Sequence, residues 1–209
     1  MLKPLVGAAA LLAWSLTSAH AGLIVQSGNI AQSDNNVIDG GACSGSGGPA
    51  LSLSACFNGQ ANPIVNFASD ENIIYAAGGQ AKITAQSGDY SRLTISIAGY
   101  TIDTLILNIN AGRDGYVRFT DGATDSSVFA LSSSGNNFFT VTGGGFDFLD
   151  FTTYSDLTGT TESDIVDDVR QVRMSATPAA VVSEPASLAV LLTGLVGLGL
   201  MMRRRRQRA

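Results

Sequence analysis

Arg92-Leu93-Thr94-Ile95-Ser96-Ile97 and Gly115-Tyr116-Val117-Arg118-Phe119-Thr120 each carry an apolar side chain at every second position. Successive Cβ atoms of a strand point to opposite sides of a sheet, so this period is that of a strand with one buried face. Lys82-Ile83-Thr84-Ala85-Gln86 repeats the pattern. Residues 104–109, 127–131, 137–141, 146–152 and 169–174 are further strand candidates. Between them stand Ser87-Gly88-Asp89, Ala111-Gly112-Arg113-Asp114-Gly115, Thr120-Asp121-Gly122 and Ser132-Ser133-Ser134-Gly135-Asn136, all with turn chemistry. Such connections are too short for crossover helices and imply antiparallel pairing. The expected fold is therefore all-β, an antiparallel β-sandwich of jelly-roll type.

Working outward, residues 22–60 hold few apolar runs and much Gly, Ser and Asn. They read as an irregular segment with one or two short strands. Thr161-Glu162-Ser163-Asp164-Ile165-Val166-Asp167-Asp168 reads as a short helical turn capped by Thr161. Asp167, Asp168, Arg170 and Arg173 read as a solvated edge strand with cross-strand ion pairs. Ser175-Ala176-Thr177-Pro178-Ala179-Ala180 has linker composition, so the β domain is placed at 22–176 and the linker at 177–182.

Both ends carry targeting signals. Met1-Leu2-Lys3 supplies a positive start, residues 5–16 an apolar stretch, and Ala19-His20-Ala21 a small-x-small cleavage site ahead of Gly22. Residues 1–21 thus read as a secretory signal peptide. At the other end, Ser183-Glu184-Pro185 leads into an uncharged apolar run, 186–202, closed by Arg203-Arg204-Arg205-Arg206-Gln207-Arg208. As a helix that run is about 25 Å long, at the short end of what spans a bilayer. Arginines are retained on the cytoplasmic side, so the single transmembrane helix directs everything before Ser183 outward.

An acidic-proline signal, an apolar helix and a terminal arginine cluster, in that order over 183–208, resemble the PEP-CTERM sorting tail of Gram-negative bacteria. Ser183 stands where the family has its first proline, while Glu184, Pro185 and the following Ala186-Ser187-Leu188 match. The resemblance implies recognition by an exosortase-type membrane protease and cleavage near the signature. It also implies passage from an inner-membrane-anchored intermediate to the cell surface or extracellular matrix. An ordinary single-pass anchor is the alternative and has the same topology. Residues 135–141, 150–153 and 168–173 loosely resemble late strands of the β-rich domains that precede such tails.

Removal of the targeting segments takes away His20 and Trp14, the sole histidine and tryptophan. The exported part then has no imidazole for acid–base work or metal ligation, which excludes Ser-His-Asp and Cys-His catalysis and histidine-containing zinc sites. It holds six basic and sixteen acidic residues, a net charge of −10. Such a surface repels phosphate backbones, so nucleic acid is not an expected partner. Cys43 and Cys56, both exported, are expected to form a disulfide that closes a twelve-residue loop, 44–55. The chain-entropy model assigns such a loop about 3 kcal/mol.

Three groups bear on function. Asp121-Gly122-Ala123-Thr124-Asp125 places carboxylates and carbonyls in one loop, a calcium candidate through Asp121 and Asp125, or else an ordinary Asp-Gly turn. Asp147, Asp150 and Asp156 fall among Phe146, Phe148, Phe151 and Tyr154, which suits sugar stacking or, equally, a core strand with a wet face. A carbohydrate-binding module calls for Tyr90, Tyr100, Tyr116 or Tyr154 grouped on one sheet face. A carboxylate-dependent glycoside hydrolase calls for two acids facing across a groove. The expectation is a non-catalytic surface or matrix protein, structural or adhesive, without a cofactor other than calcium at the Asp121 loop. Its expected partners are the exosortase-type protease, the membrane through its tail, and extracellular polysaccharide.

Overall fold

The computed structural model describes residues 22–30, 35–39, 48–75 and 79–179. The expected signal peptide with Ala19 and Ala21, Cys43, and the tail with Ser183, Glu184, Pro185, helix 186–202 and Arg203 to Arg206 lie outside the described residues. The chain divides into two compact units, Met1–Thr177 and Pro178–Ala209, and the β domain belongs to the first.

The described residues form thirteen strands in chain order: β1 (Ile24–Ser27), β2 (Asn35–Asp39), β3 (Ala50–Phe57), β4 (Ile64–Tyr75), β5 (Gly79–Gln80), β6 (Ile83–Ala85) and β7 (Arg92–Ile97). Then come β8 (Tyr100–Ala111), β9 (Gly115–Thr120), β10 (Phe129–Leu131), β11 (Asn137–Phe146), β12 (Phe148–Tyr154) and β13 (Val166–Pro178). The described residues contain no helix, and so none long and apolar enough to cross a membrane. The two stretches with the cleanest alternation, 92–97 and 115–120, are β7 and β9 at the same bounds, with Leu93, Ile95, Val117 and Phe119 fully buried.

The sheet runs β1-β11-β8-β13-β2-β3-β4-β7-β12-β9-β10, and its registered pairings are antiparallel. β6 bonds to both β4 and β13, which closes β2, β3, β4, β6 and β13 into a five-stranded barrel. Closure leaves those strands without a free edge there. Two arms leave the barrel, β8-β11-β1 from β13 and β7-β12-β9-β10 from β4. They meet through phenylalanines: Phe119 of β9 lies 5.0 Å from Phe139 of β11 and 6.0 Å from Phe151 of β12, ring centroid to centroid. Phe129 of β10 stands 5.6 Å from Phe139, edge to face. One buried cluster runs from barrel residues such as Val37, Val65, Ile73 and Val172 into both arms.

Two short breaks carry the chain between arms. β7 and β8 are separated only by Ala98-Gly99, the spacing of a hairpin, yet β7 pairs with β4 and β12 while β8 pairs with β11 and lies beside β13. Gly99 supplies the left-handed backbone of that corner at φ 75°. Asp147 alone divides β11 from β12: Phe146 pairs with Ile102 on one arm and Phe148 with Ser96 on the other. The expected strand 146–152 therefore spans a corner. Its alternation hid this because a change of layer leaves both phenylalanines apolar and the residue between them polar.

Several expectations are corrected. The described residues of the 22–60 segment form three strands, β1, β2 and β3, not one or two. β4 was not foreseen: Ser69-Asp70-Glu71-Asn72 interrupts its apolar pattern because the strand bulges there, Ala68 facing Ser52 and Ile73 facing Ala50. Residues 161–165 form no helical turn. Glu162 bridges Tyr154, Val166 bridges Tyr90, and β13 starts at Val166. β13 is no solvated edge, since it is hydrogen-bonded to β8, β2 and β6, and Asp168 on it is only 1% exposed. Its Oδ2 accepts from Asn110 Nδ2 at 2.9 Å and lies 3.3 Å from Lys82 Nζ, and its Oδ1 lies 3.6 Å from Arg170 Nε. The strand also continues to Pro178 where a linker was expected, held at Thr177 by the Thr101 hydroxyl 3.2 Å away.

Candidate functional site

Two motifs that are separate in the sequence share one groove. The loop after β9 and the corner between β11 and β12 meet because the Phe148 ring lies over Gly122, where an added Cβ would stand 2.8 Å from the ring. Gly122 is also at φ 84°, so the site takes glycine for both reasons. A groove of about 300 Å³ results, lined by Asp121, Asp147, Phe146, Phe148, Thr101 and the Gly144-Gly145 backbone. Asp125 and Asp150 do not line it.

The chemistry of the loop is that of a turn. Asp121 Oδ1 accepts from the Ala123 and Thr124 amides at 2.9 and 2.6 Å, and the Gly122 amide donates to Thr120 Oγ1 at 3.1 Å. Asp125 is exposed and bridges Thr120 through the backbone. Among the described residues no three His, Cys, Asp or Glu side chains come together as a metal group.

Asp156 belongs to another loop. It accepts from the Thr161 amide at 2.7 Å and the Thr160 amide at 3.3 Å, and it contacts the Thr158 hydroxyl. The Thr158 contact, with these amides, holds its carboxyl well below the ordinary carboxylate range. Asp150, half-buried on β12, moves the other way: loss of water raises it, and Arg92 Nε at 3.7 Å and Thr94 only partly offset this.

Sequence reasoning missed a denser carboxylate group. The bulge of β4 brings Asp70 to the start of β7, where Asp70 Oδ2 lies 2.5 Å from Ser91 Oγ and Asp70 Oδ1 accepts from the Arg92 amide at 3.1 Å. Glu162 Oε1 approaches the same hydroxyl at 2.8 Å. One hydroxyl proton serves one of these acids at a time. The acids thus converge on a buried serine instead of facing each other across a groove. The only signal available was the polar interruption 69–72, which looks like a loop.

Burial raises the Asp70 carboxyl, but the Ser91 hydroxyl and the Arg92 amide outweigh it, so Asp70 titrates below its ordinary 3.8. A carboxyl lowered in the folded state stabilises fully above the unfolded value and loses that contribution as pH falls through the folded one. Thermal stability is therefore expected to fall steeply below about pH 4. Asp70→Asn should flatten the fall when melting temperature is followed from pH 2 to 6. An unchanged slope would mean that Asp70 is not a stabilising acid.

The tyrosines do not form one platform. Tyr90 is fully buried, its hydroxyl 3.3 Å from the Ile83 carbonyl. Tyr116 and Tyr154 are register partners on β9 and β12, with Arg118 5.4 Å over the Tyr154 ring, while Tyr100 lies on the other arm. Tyr116 also lines a groove of about 480 Å³ with Asp114, Ser132 and Asn137. Asp114 is engaged there, accepting from the Ser133 amide at 2.7 Å and the Ser133 hydroxyl at 2.8 Å, which hold it below the ordinary carboxylate range.

Gly22, at the expected cleavage site, is exposed. Cys56 is fully buried on β3 and disulfide-bonded. No family model, curated protein or solved structure matches this chain.

Proposed function

We propose that the chain is a non-catalytic exported protein of the bacterial cell surface or extracellular matrix, sorted and processed by an exosortase-type protease. The observation that carries this reading is the tail, Ser183-Glu184-Pro185 followed by the apolar run and the arginine cluster, together with the signal-peptide pattern of residues 1–21. The ectodomain is compatible with it. Its acids are engaged in loop and bulge geometry at Asp70, Asp114, Asp121 and Asp156, which leaves them structural work in a domain that lacks histidine. A structural or adhesive role accords with a barrel whose arms pack into a sandwich-like pair, which we read as of jelly-roll type. The Cys43–Cys56 disulfide belongs to the same reading, since export delivers both thiols to an oxidising compartment.

Intact mass tests the reading. In a host with an exosortase, the recovered protein should lack its tail, and in a host without one it should keep it. Glu184→Ala with Pro185→Ala should abolish the mass difference. Retention of the tail in both hosts would leave a membrane-anchored ectodomain and overturn processing.

Carbohydrate binding is a second reading, favoured by the grooves beside Phe148 and Phe138, where half-buried rings stand next to polar side chains.

A further inference from the structure

From the fork of the barrel we infer a binding site for uncharged polysaccharide, formed by Asn29, Asn36, Gln80, Phe138, Gln171 and Arg173. This deepens the surface reading above and rests on it for the export of the domain.

β13 changes partner along its length. Asp168 and Val169 pair with β6, whereas Arg173 and Met174 pair with β2. β2 also changes partner, from β13 at Asn35 and Asn36 to β5 at Ile38 and Asp39. Beside that fork lies a groove of about 300 Å³, at the lower end of small-ligand sites, lined from β11 and β13 across to β2 and β5.

Gln171 stands at the divergence. On β13 the neighbours Asp168 and Val169 are both buried, so both faces of the strand are covered just before Gln171. Gln171 itself stands at φ 55°, the one non-glycine among the described residues with a positive φ. Glutamine is a poor choice for that backbone, and glycine would hold it without strain. Retention of a strained residue points to its side chain.

That side chain is aimed. Asn108, 1% exposed on β8, donates from Nδ2 to Gln171 Oε1 at 2.9 Å and to Asn136 Oδ1 at 3.1 Å. With its oxygen held inward, the Gln171 amide presents its Nε2 donor away from Asn108. Beside it, Gln80 Nε2 donates to Asn36 Oδ1 at 3.0 Å. That bond consumes one donor and one acceptor and leaves Gln80 Oε1 to accept and Asn36 Nδ2 to donate. Asn29 adds a further exposed amide, and the half-buried Phe138 ring an apolar face.

Alternating neutral donors and acceptors beside an aromatic face match vicinal hydroxyls and the C–H face of a pyranose. Among the described residues no carboxylate lines the groove, and Arg173 is its one charged side chain. The exported part carries a net charge of −10, which disfavours a polyanionic glycan and leaves an uncharged one as the fitting ligand.

The test uses the full chain in a non-glycosidic detergent, run by affinity electrophoresis through gels containing hydroxyethylcellulose, dextran or soluble β-1,3-glucan, with alginate as the acidic comparison. At least one neutral polymer should retard the protein. Gln171→Gly, which relieves the backbone while removing the amide that accepts from Asn108, should weaken retardation tenfold or more in a protein that still unfolds in one cooperative transition. The pair Asn36→Ala and Gln80→Ala should do the same, whereas Leu157→Ala, an exposed control, should leave it unchanged. No retardation by any neutral polymer, retardation by alginate alone, or equal retardation of the Gln171→Gly protein would each overturn the site. None of these outcomes touches the mass test of the tail, so the two readings fail separately.

Discussion

Replacement of Phe119 by alanine is expected to destabilise the domain by about 3–5 kcal/mol, the largest effect of any single side chain considered. Phe119 is fully buried on β9 and touches rings from three other strands: Phe129 at 6.3 Å, Phe139 at 5.0 Å and Phe151 at 6.0 Å. Phe139 belongs to the opposite arm, so the truncation removes both apolar burial and the tilted ring contact that joins the arms. The rings around it are fixed by backbone pairing and cannot collapse into the void. Urea denaturation should show a lower midpoint with an unchanged slope. Leu157→Ala, at a residue 64% exposed, should stay within about 0.5 kcal/mol. A loss below about 1 kcal/mol for Phe119→Ala would mean that the arms are not held together through this cluster.

Gly115→Ala should cost about 1–3 kcal/mol through overpacking. Gly115 opens β9, and its backbone is not left-handed, so strain of φ plays no part. An added Cβ would fall on Ile165 Cδ1 and lie 2.9 Å from the Tyr154 carbonyl oxygen. Ile165 is itself fully buried and tied down by the Gly112 amide, which donates to its carbonyl at 2.8 Å. Ile165→Val trims the clashing methyl and leaves the backbone clash. The double variant should therefore be less destabilised than the two singles added together, yet remain below wild type. Gly135→Ala, which meets nothing within 4 Å, is the neutral control. Strict additivity of Gly115→Ala and Ile165→Val would show that the close approach is absent.

These variants mark how far the strands were legible. β7 and β9 could be read to the residue because each keeps one face dry and one face wet along its whole length. β4 could not, because it contains a bulge, and one extra residue moves the apolar set to the other parity; β13 could not, because it is buried on both faces around Asp168 and Val169. In β4 the bulge is the polar run 69–72, which reads as a loop. In β13 the positive φ of Gln171 leaves no mark in the sequence pattern. Gly115 was legible as a turn residue, but its close approach to Ile165 depends on a segment fifty residues away.

The candidate sites divide in the same way. Asp121 and Asp125 were readable as a loop, and its turn geometry follows from Asp-Gly chemistry that acts over three residues. The neighbourhood of Asp121 with Asp147 and Phe148 was not, and neither was the Asp70, Ser91 and Glu162 group. Both need contacts between strands that the chain order keeps apart.

By itself the sequence determined the strand class and the acidic balance, both of which are local or compositional. Tertiary structure alone decided that Ala98-Gly99 and Asp147 turn between arms instead of closing hairpins, that β6 closes a five-stranded barrel, and that Gln171 stands at its fork. The reason is that a strand's period tells which of its faces is dry and nothing about which neighbour satisfies its edges. Hydrogen bonding along an edge is the same for every partner, so the choice is made by the packing of the whole core.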